Sequence, residues 1–186
     1  TLRLPGLVDP HVHLREPGAA HKEDFESGTK AALAGGITTV LAMPNTSPAI
    51  IDDASLKLAE DAAATRACCD YGIHLGASES NAETAASLAP RCAGLKFYLD
   101  ATFGSLLLAD LGTIRRHFER WPKDRPLLCH AEERTLAAVL AIARLANRGV
   151  HICHVSRRSE IELIRDAKMQ GIAVTCEVAP HHLFLS

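Results

Sequence analysis

The sequence predicts an α/β fold of repeated parallel βα units, read as a (β/α)8 TIM-type barrel truncated after about seven strands. Three observations lead there. Short apolar runs alternate with longer helical patterns along the whole chain, as in βα repeats. Runs such as PLLC and GIAVTC are almost continuously apolar, as strands covered on both faces must be. Polar residues suited to metals sit at the C-terminal ends of those runs, where barrel active sites lie.

The strands expected are Gly6–Val12, Thr38–Met43, Tyr71–Ala77, Gly94–Leu99, Pro126–His130, Val150–Val155 and Ala173–Val178. Helices are expected between them. Phe25–Ala34 follows an acidic start and ends at Gly35-Gly36, a helix stop. Ala54–Thr65 and Asn81–Ser87 are rich in alanine, and Leu111–Arg120 and Thr135–Asn147 are amphipathic. Ser159–Gln170 ends at Gly171. An open doubly wound sheet would have the same alternation, but no GxGxxG follows the first strand. A complete barrel takes roughly 250 residues, and this chain has 186, so residues 1–186 are read as a single, C-terminally incomplete barrel domain.

Composition narrows the function. A net charge of -2 gives no electrostatic footprint for nucleic acid or a membrane surface. No apolar run is long enough to span a bilayer and no leader pattern opens the chain, so a cytoplasmic protein is expected. The six cysteines lack CxxC spacing, and most are expected to be buried thiols.

The chemistry lies at the strand ends. His11 and His13 in DPHVHLR are two apart, so a strand turns both to one face, where they can grip one cation. Alone, that pair is equally a polar strand end. Lys96 in GLKFY stands between apolar neighbours, where an unpaired lysine is seldom buried. A plain ammonium would repel a metal, whereas a lysine carbamylated by carbon dioxide would bridge two. His130 ends the fifth run and His154 the sixth. Equivalent histidines in a repeated βα pattern are hard to assign to packing alone. Together the five residues make a binuclear site short of one carboxylate.

The motifs HVHLREPG, AMPNT, GLKFYL, CHAE, HICHV and TCEVAPHHLFLS resemble dihydroorotase, a metal-dependent amidohydrolase, in type and order from Leu4 to Ser186. The resemblance is strongest to dihydroorotase domains of the animal multifunctional kind, joined to carbamoyl-phosphate synthetase and aspartate carbamoyltransferase. It implies zinc-dependent interconversion of N-carbamoyl-L-aspartate and dihydroorotate in pyrimidine biosynthesis, in a homo-oligomer. It makes His11 and His13 ligands of one zinc, His130 and His154 ligands of a second, and carbamylated Lys96 the bridge. It adds a third zinc at His11, Cys153 and Glu177. Arg15 and Asn45 match residues that bind the substrate carboxylate. Read without the family, they would be a surface arginine and a turn former after Pro44. Thr102 and Phe103 match the tip of a loop over the substrate. The proton-transfer aspartate would end an eighth strand beyond Ser186, so the chain alone is expected to be inactive. His181 and His182 match no ligand position and are read as structural. Three rival readings are another cyclic amidohydrolase of the hydantoinase or allantoinase type, a non-catalytic dihydroorotase-like scaffold, and a plain structural α/β domain.

Overall fold

The computed structural model describes residues 3–102 and 104–185. Its elements run β1 (Leu7–Val12), α1 (Phe25–Ala34), β2 (Ile37–Ala42), α2 (Asp53–Arg66), β3 (Asp70–Ile73), β4 (Leu75–Gly76), α3 (Ala85–Leu88), β5 (Leu95–Tyr98), α4 (Leu111–Arg120), β6 (Leu127–His130), α5 (Glu133–Leu145), β7 (Val150–Ile152), α6 (Arg158–Met169), β8 (Val174–Cys176) and α7 (Pro180–Phe184). Every strand pairing is parallel, in the orders β1-β2-β3 and β4-β5-β6-β7-β8.

The expected third strand, Tyr71–Ala77, is divided at His74. Its first part pairs with β2 and its second with β5. The His74 amide donates to the Ala42 carbonyl at 2.9 Å, and the Leu75 amide to Gly94 at 3.0 Å. One run of chain therefore joins the two sheets into a single curved wall. All four residues of β5 are buried, as a strand packed on both faces requires. The edges of the wall are β1 and β8. Leu7 and Val8 on β1 are each 58% exposed, unlike the residues of β5.

Local chemistry sets the helix ends. The Asp24 carboxylate accepts from the Ser27 amide at 2.7 Å and opens α1. Asp52 does the same for α2 through Ser55 at 2.8 Å, and Asp110 for α4 through Thr113 at 2.6 Å. Gly36, at φ 83, gives α1 its left-handed exit. Of the expected Asn81–Ser87 helix, only Ala85 to Ser87 is helical, within α3. Asn81 is used as a buried tie instead: its side chain accepts from the Ser78 amide and donates to the carbonyls of Ile51 and Gly76. α5 begins and ends two residues before the expected Thr135–Asn147. α7, which no periodicity announced, begins at Pro180, a residue suited to a first helical turn. The cysteine expectation is corrected in part: Cys92, Cys129 and Cys153 are buried, but Cys68 and Cys176 are exposed and Cys69 is half-buried.

Arg148 fastens the lower end of the wall. It is 6% exposed, and its guanidinium donates to the carbonyls of Phe118, Trp121, Pro122 and Arg125. Those carbonyls lie between the end of α4 and the start of β6, the strand that ends in His130. Arg148→Met should leave several buried acceptors unpaired and lower unfolding stability by about 2–4 kcal/mol. Urea unfolding of the variant checks this, and a loss below about 0.5 kcal/mol would contradict the role.

Candidate metal centre

β1 reaches the site through a bulge. Asp9 aligns with Val40 and Val12 with Ala42, three steps along β1 against two along β2. Pro10 sits in the bulge, where a residue without an amide hydrogen removes no ladder bond. Its carbonyl accepts from His74 Nε2 at 3.2 Å. The His11 and His13 rings lie 5.3 Å apart between centroids, on the cleft side of the strand end. His13 Nδ1 donates to Asn45 Oδ1 at 2.8 Å. That bond fixes the tautomer and leaves Nε2 as the ligand atom. Asn45 thus has a second role that its position after Pro44 did not disclose.

Lys96 lies in the centre of the wall and is 0% exposed. Among the described residues its Nζ has no hydrogen-bond partner, and it sits 5.1 Å over the Tyr98 ring. His130 Nε2 is likewise buried without a hydrogen bond among the described residues, with Glu132 Oε1 3.6 Å away. His130 Nδ1 stands 3.2 Å from His154 Nε2, and His154 lies 5.3 Å from His11 between ring centroids.

Cys153 and His154 are adjacent, and a regular strand would point them apart. β7 ends at Ile152, and His154 adopts φ 36, in the left-handed region. That turn brings both side chains to the site. The His11, Cys153 and Glu177 ligand atoms all lie within 4.8 Å of one another. Glu177 meets His11 Nδ1 in a short contact and accepts from His151 Nε2 at 3.0 Å. His151 was not among the residues singled out from sequence. Its signal was there: it precedes Cys153 by two positions and so shares its face.

The electrostatics favour ligand forms of the imidazoles. Burial, reinforced by Lys96 and His130, lowers His154 to about 3. Burial and His11 lower His13 to about 4, and His130 falls for the same first reason, with Lys96 adding to it. Burial pushes the Glu177 carboxyl up, but hydrogen bonds from His11 and His151 outweigh it and hold the group well below the usual carboxylate range. Burial raises the Cys153 thiol to about 11, so a metal there would have to displace its proton.

The donor set therefore fits metal ions. Neutral imidazoles, a carboxylate and a thiol converge, and a buried lysine lacks the anion that a bare ammonium would need. A cleft of about 590 Å³ opens beside His11, His13, His154 and Glu177. His181 and His182 of α7 also line it. A second hollow of about 260 Å³ is lined by Arg15, Asn45, His21 and Lys22. Arg15, just past β1, holds φ 58. Thr102 is exposed in the loop after β5. A Cβ placed on Gly104 would lie 3.6 Å from the Asn45 Cβ, which sets this loop beside the hollow. Phe103 lies outside the described residues.

The chain resembles known proteins in sequence and fold. A family profile described as dihydro-orotase-like matches residues 1–67. The chain is 56% identical over 185 residues to the multifunctional protein CAD of Squalus acanthias, covering 100% of this chain and 8% of that protein. It is 34% identical over 215 residues to a dihydroorotase of Pelobacter propionicus, covering 98% of this chain and 50% of that protein. Among solved structures, the inactive dihydroorotase-like domain of the Chaetomium thermophilum CAD-like multifunctional protein superposes with a TM-score of 0.88 at 30% identity, covering 98% of this chain and 54% of that one. The fold is the parallel α/β barrel type of the amidohydrolases. Within that class, the chain is similar to dihydroorotase-like proteins, over residues 1–67 by the family profile and over nearly its whole length by both relatives. It spans 8% of the CAD relative and about half of the bacterial enzyme.

The depressed histidines make the metal-free fold acid-sensitive. His13, His74 and His154 titrate near 6.5 when unfolded and at about 4, 4 and 3 when folded. The unfolded chain therefore binds more protons as the pH falls below 6.5. Their contribution is complete above that value and is lost as pH falls toward 4 and below. The lowered Glu177 carboxyl acts in the same direction at more acid pH. The urea midpoint of the metal-free protein should fall steadily from pH 6.5 to about 4, and a constant or rising midpoint would contradict this.

Proposed function

We propose that residues 1–186 form one barrel domain supplying the metal cradle and carboxylate contacts of a dihydroorotase within a longer multifunctional protein. The observation that carries this reading is the partnerless buried Lys96, set among His11, His13, His130 and His154. Carbamylated by carbon dioxide, Lys96 becomes the anion its surroundings lack and can hold two cations together. Zinc suits the imidazole donors. His11 and His13 hold one ion, His130 and His154 the other, and His11, Cys153 and Glu177 a third. Bound there, the metals supply Lewis acidity toward an amide carbonyl and a water that is nucleophilic near neutral pH.

The chain's own residues orient the substrate. Arg15 presents a guanidinium fork to the carboxylate of dihydroorotate or N-carbamoyl-L-aspartate, and Asn45 borders the same hollow while holding the His13 tautomer. The loop that carries Thr102 closes over the substrate and excludes water. The aspartate that moves the proton belongs to an eighth strand outside residues 1–186. Carbamoyl-phosphate synthetase and aspartate carbamoyltransferase domains on the same polypeptide are the proposed partners, in a cytoplasmic homo-oligomer. Among the described residues, no helix is long and apolar enough to cross a membrane.

A second reading is a non-catalytic domain that holds neighbouring enzymes together. The description of the fungal structure as inactive favours it. The presence here of His11, His13, Lys96, His130 and His154 favours the enzyme.

The test is turnover by the full-length protein on dihydroorotate and, separately, on hydantoins. Dihydroorotate should be preferred. Arg15→Ala should keep its zinc and lose roughly 10- to 100-fold in kcat/KM, the value of a charge-assisted contact. A zinc-loaded protein inert toward dihydroorotate would support the scaffold, and preference for hydantoins would support a different cyclic amidohydrolase.

A further inference from the structure

We infer that Glu160 is a positioning residue that holds His130 and His154 in register by tying together the two loops that follow them. The inference rests on the metal reading above. Glu160 lies in the first turn of α6, yet it is 2% exposed and has no ion-pair partner among the described residues. Backbone amides satisfy it instead. Its Oε2 accepts from the amides of Ser156 and Arg157 at 3.3 and 3.1 Å, in the loop that begins at His154. Its Oε1 accepts from the Glu133 amide at 3.2 Å, in the loop that begins at His130.

An ordinary helix cap accounts for only part of this. A glutamate three residues into a helix commonly returns to the N-cap amide, here that of Arg157. It has no local reason to reach the amide of a residue 27 positions earlier, as Glu160 does. The bond to Glu133 crosses from one βα unit to the next. Glu133 itself holds φ 41, a left-handed conformation that a glutamate adopts only when its surroundings impose it. His154, four residues before Arg158 opens α6, holds φ 36. The carboxylate thus bonds the amide of one strained position, Glu133, and amides two and three residues past the other, His154, while His130 Nδ1 and His154 Nε2 stand 3.2 Å apart.

Neighbouring contacts extend the tie. Asp100, after β5, accepts from the Glu132 amide at 2.8 Å and so joins the Lys96 strand to the His130 loop. On the solvent side, Arg157 reaches Glu133 at 3.1 Å and Glu132 at 3.5 Å, but it is half exposed and its pairs are screened. Glu160 is the buried member that touches both loops. A glutamine keeps its size and its Oε1 but places an NH2 group against two amide donors, which should release the His154 loop.

The test combines cobalt titration with amide hydrogen exchange on the full-length protein, wild type, Glu160→Gln and Glu162→Gln. Glu162 is on the same helix, exposed and paired with Arg158. In wild type, the Glu133, Ser156 and Arg157 amides should be protected. In Glu160→Gln they should exchange at least tenfold faster, with the interior of α5 unchanged. Cobalt affinity at the His130–His154 site should fall about 10- to 100-fold, the usual effect of losing an outer support. The thiolate-to-cobalt absorption from Cys153 should persist, which a general loss of structure would not allow. Glu162→Gln should match wild type. A folded Glu160→Gln with wild-type cobalt affinity would overturn the inference and leave the metal reading intact. Wild-type protein that binds no cobalt would overturn both. Should Glu160→Gln fail to fold, exchange in the wild type decides: unprotected Glu133 and Ser156 amides would overturn the tie.

Discussion

A lysine without an anion organises this structure. Lys96 is wholly enclosed, its Nζ has no hydrogen-bond partner among the described residues, and His130, His154 and Cys153 are near enough to feel its charge. An isolated buried ammonium is among the costliest groups a fold can contain. The surroundings make the difficulty worse, because Lys96 itself lowers the basicity of His130 and His154. Those features are coherent if the site awaits cations and an anionic lysine. Neutral imidazoles then become ligands, and the charge that burial penalises is cancelled by the metals.

The wall of parallel strands serves that requirement. The strands run parallel, so β1, β6 and the turn after β7 carry His11, His13, His130 and His154 to one end, with Lys96 two residues below the Tyr98–His130 pairing. The backbone departs from regular geometry where the side chains must be re-aimed. A bulge at Pro10 adjusts β1, and left-handed turns occur at Arg15, Glu133 and His154. Among the described residues, three of the four non-glycine residues with positive φ therefore lie at or beside the strand ends that form the site. Such strain persists only where neighbouring contacts hold it. The bonds from Glu133 to Glu160 and from His74 to Pro10 are contacts of that kind.

Much of this was legible in the sequence because the period is simple. Buried parallel strands give continuous apolar runs, and α1 and α4 match their expected bounds, Phe25–Ala34 and Leu111–Arg120, because a capping aspartate starts each of them. The strand-end histidines could be read from equivalent places in repeated units. What could not be read depends on contacts between units. The division of the third strand at His74 arises from which neighbour each backbone amide meets. Asn81 becomes a tie rather than a helical residue because two carbonyls approach it. The convergence of Cys153 with His154 needs the φ of 36 at His154, and no residue type announces it. The bond between His13 and Asn45 joins two βα units, as does that between Glu133 and Glu160. His181 and His182 reach the cleft through a short helix with no periodic signal.

The central claim is that Lys96 is a carbamylated bridge between metal ions. Crystals of the zinc-loaded protein, grown with bicarbonate and measured on both sides of the zinc absorption edge, test it most directly. The account predicts two anomalous peaks flanking Lys96, one beside His11 and His13 and one beside His130 and His154, with electron density continuing beyond Lys96 Nζ. A bare Lys96 ammonium, with no anomalous scatterer beside those four histidines, would contradict it.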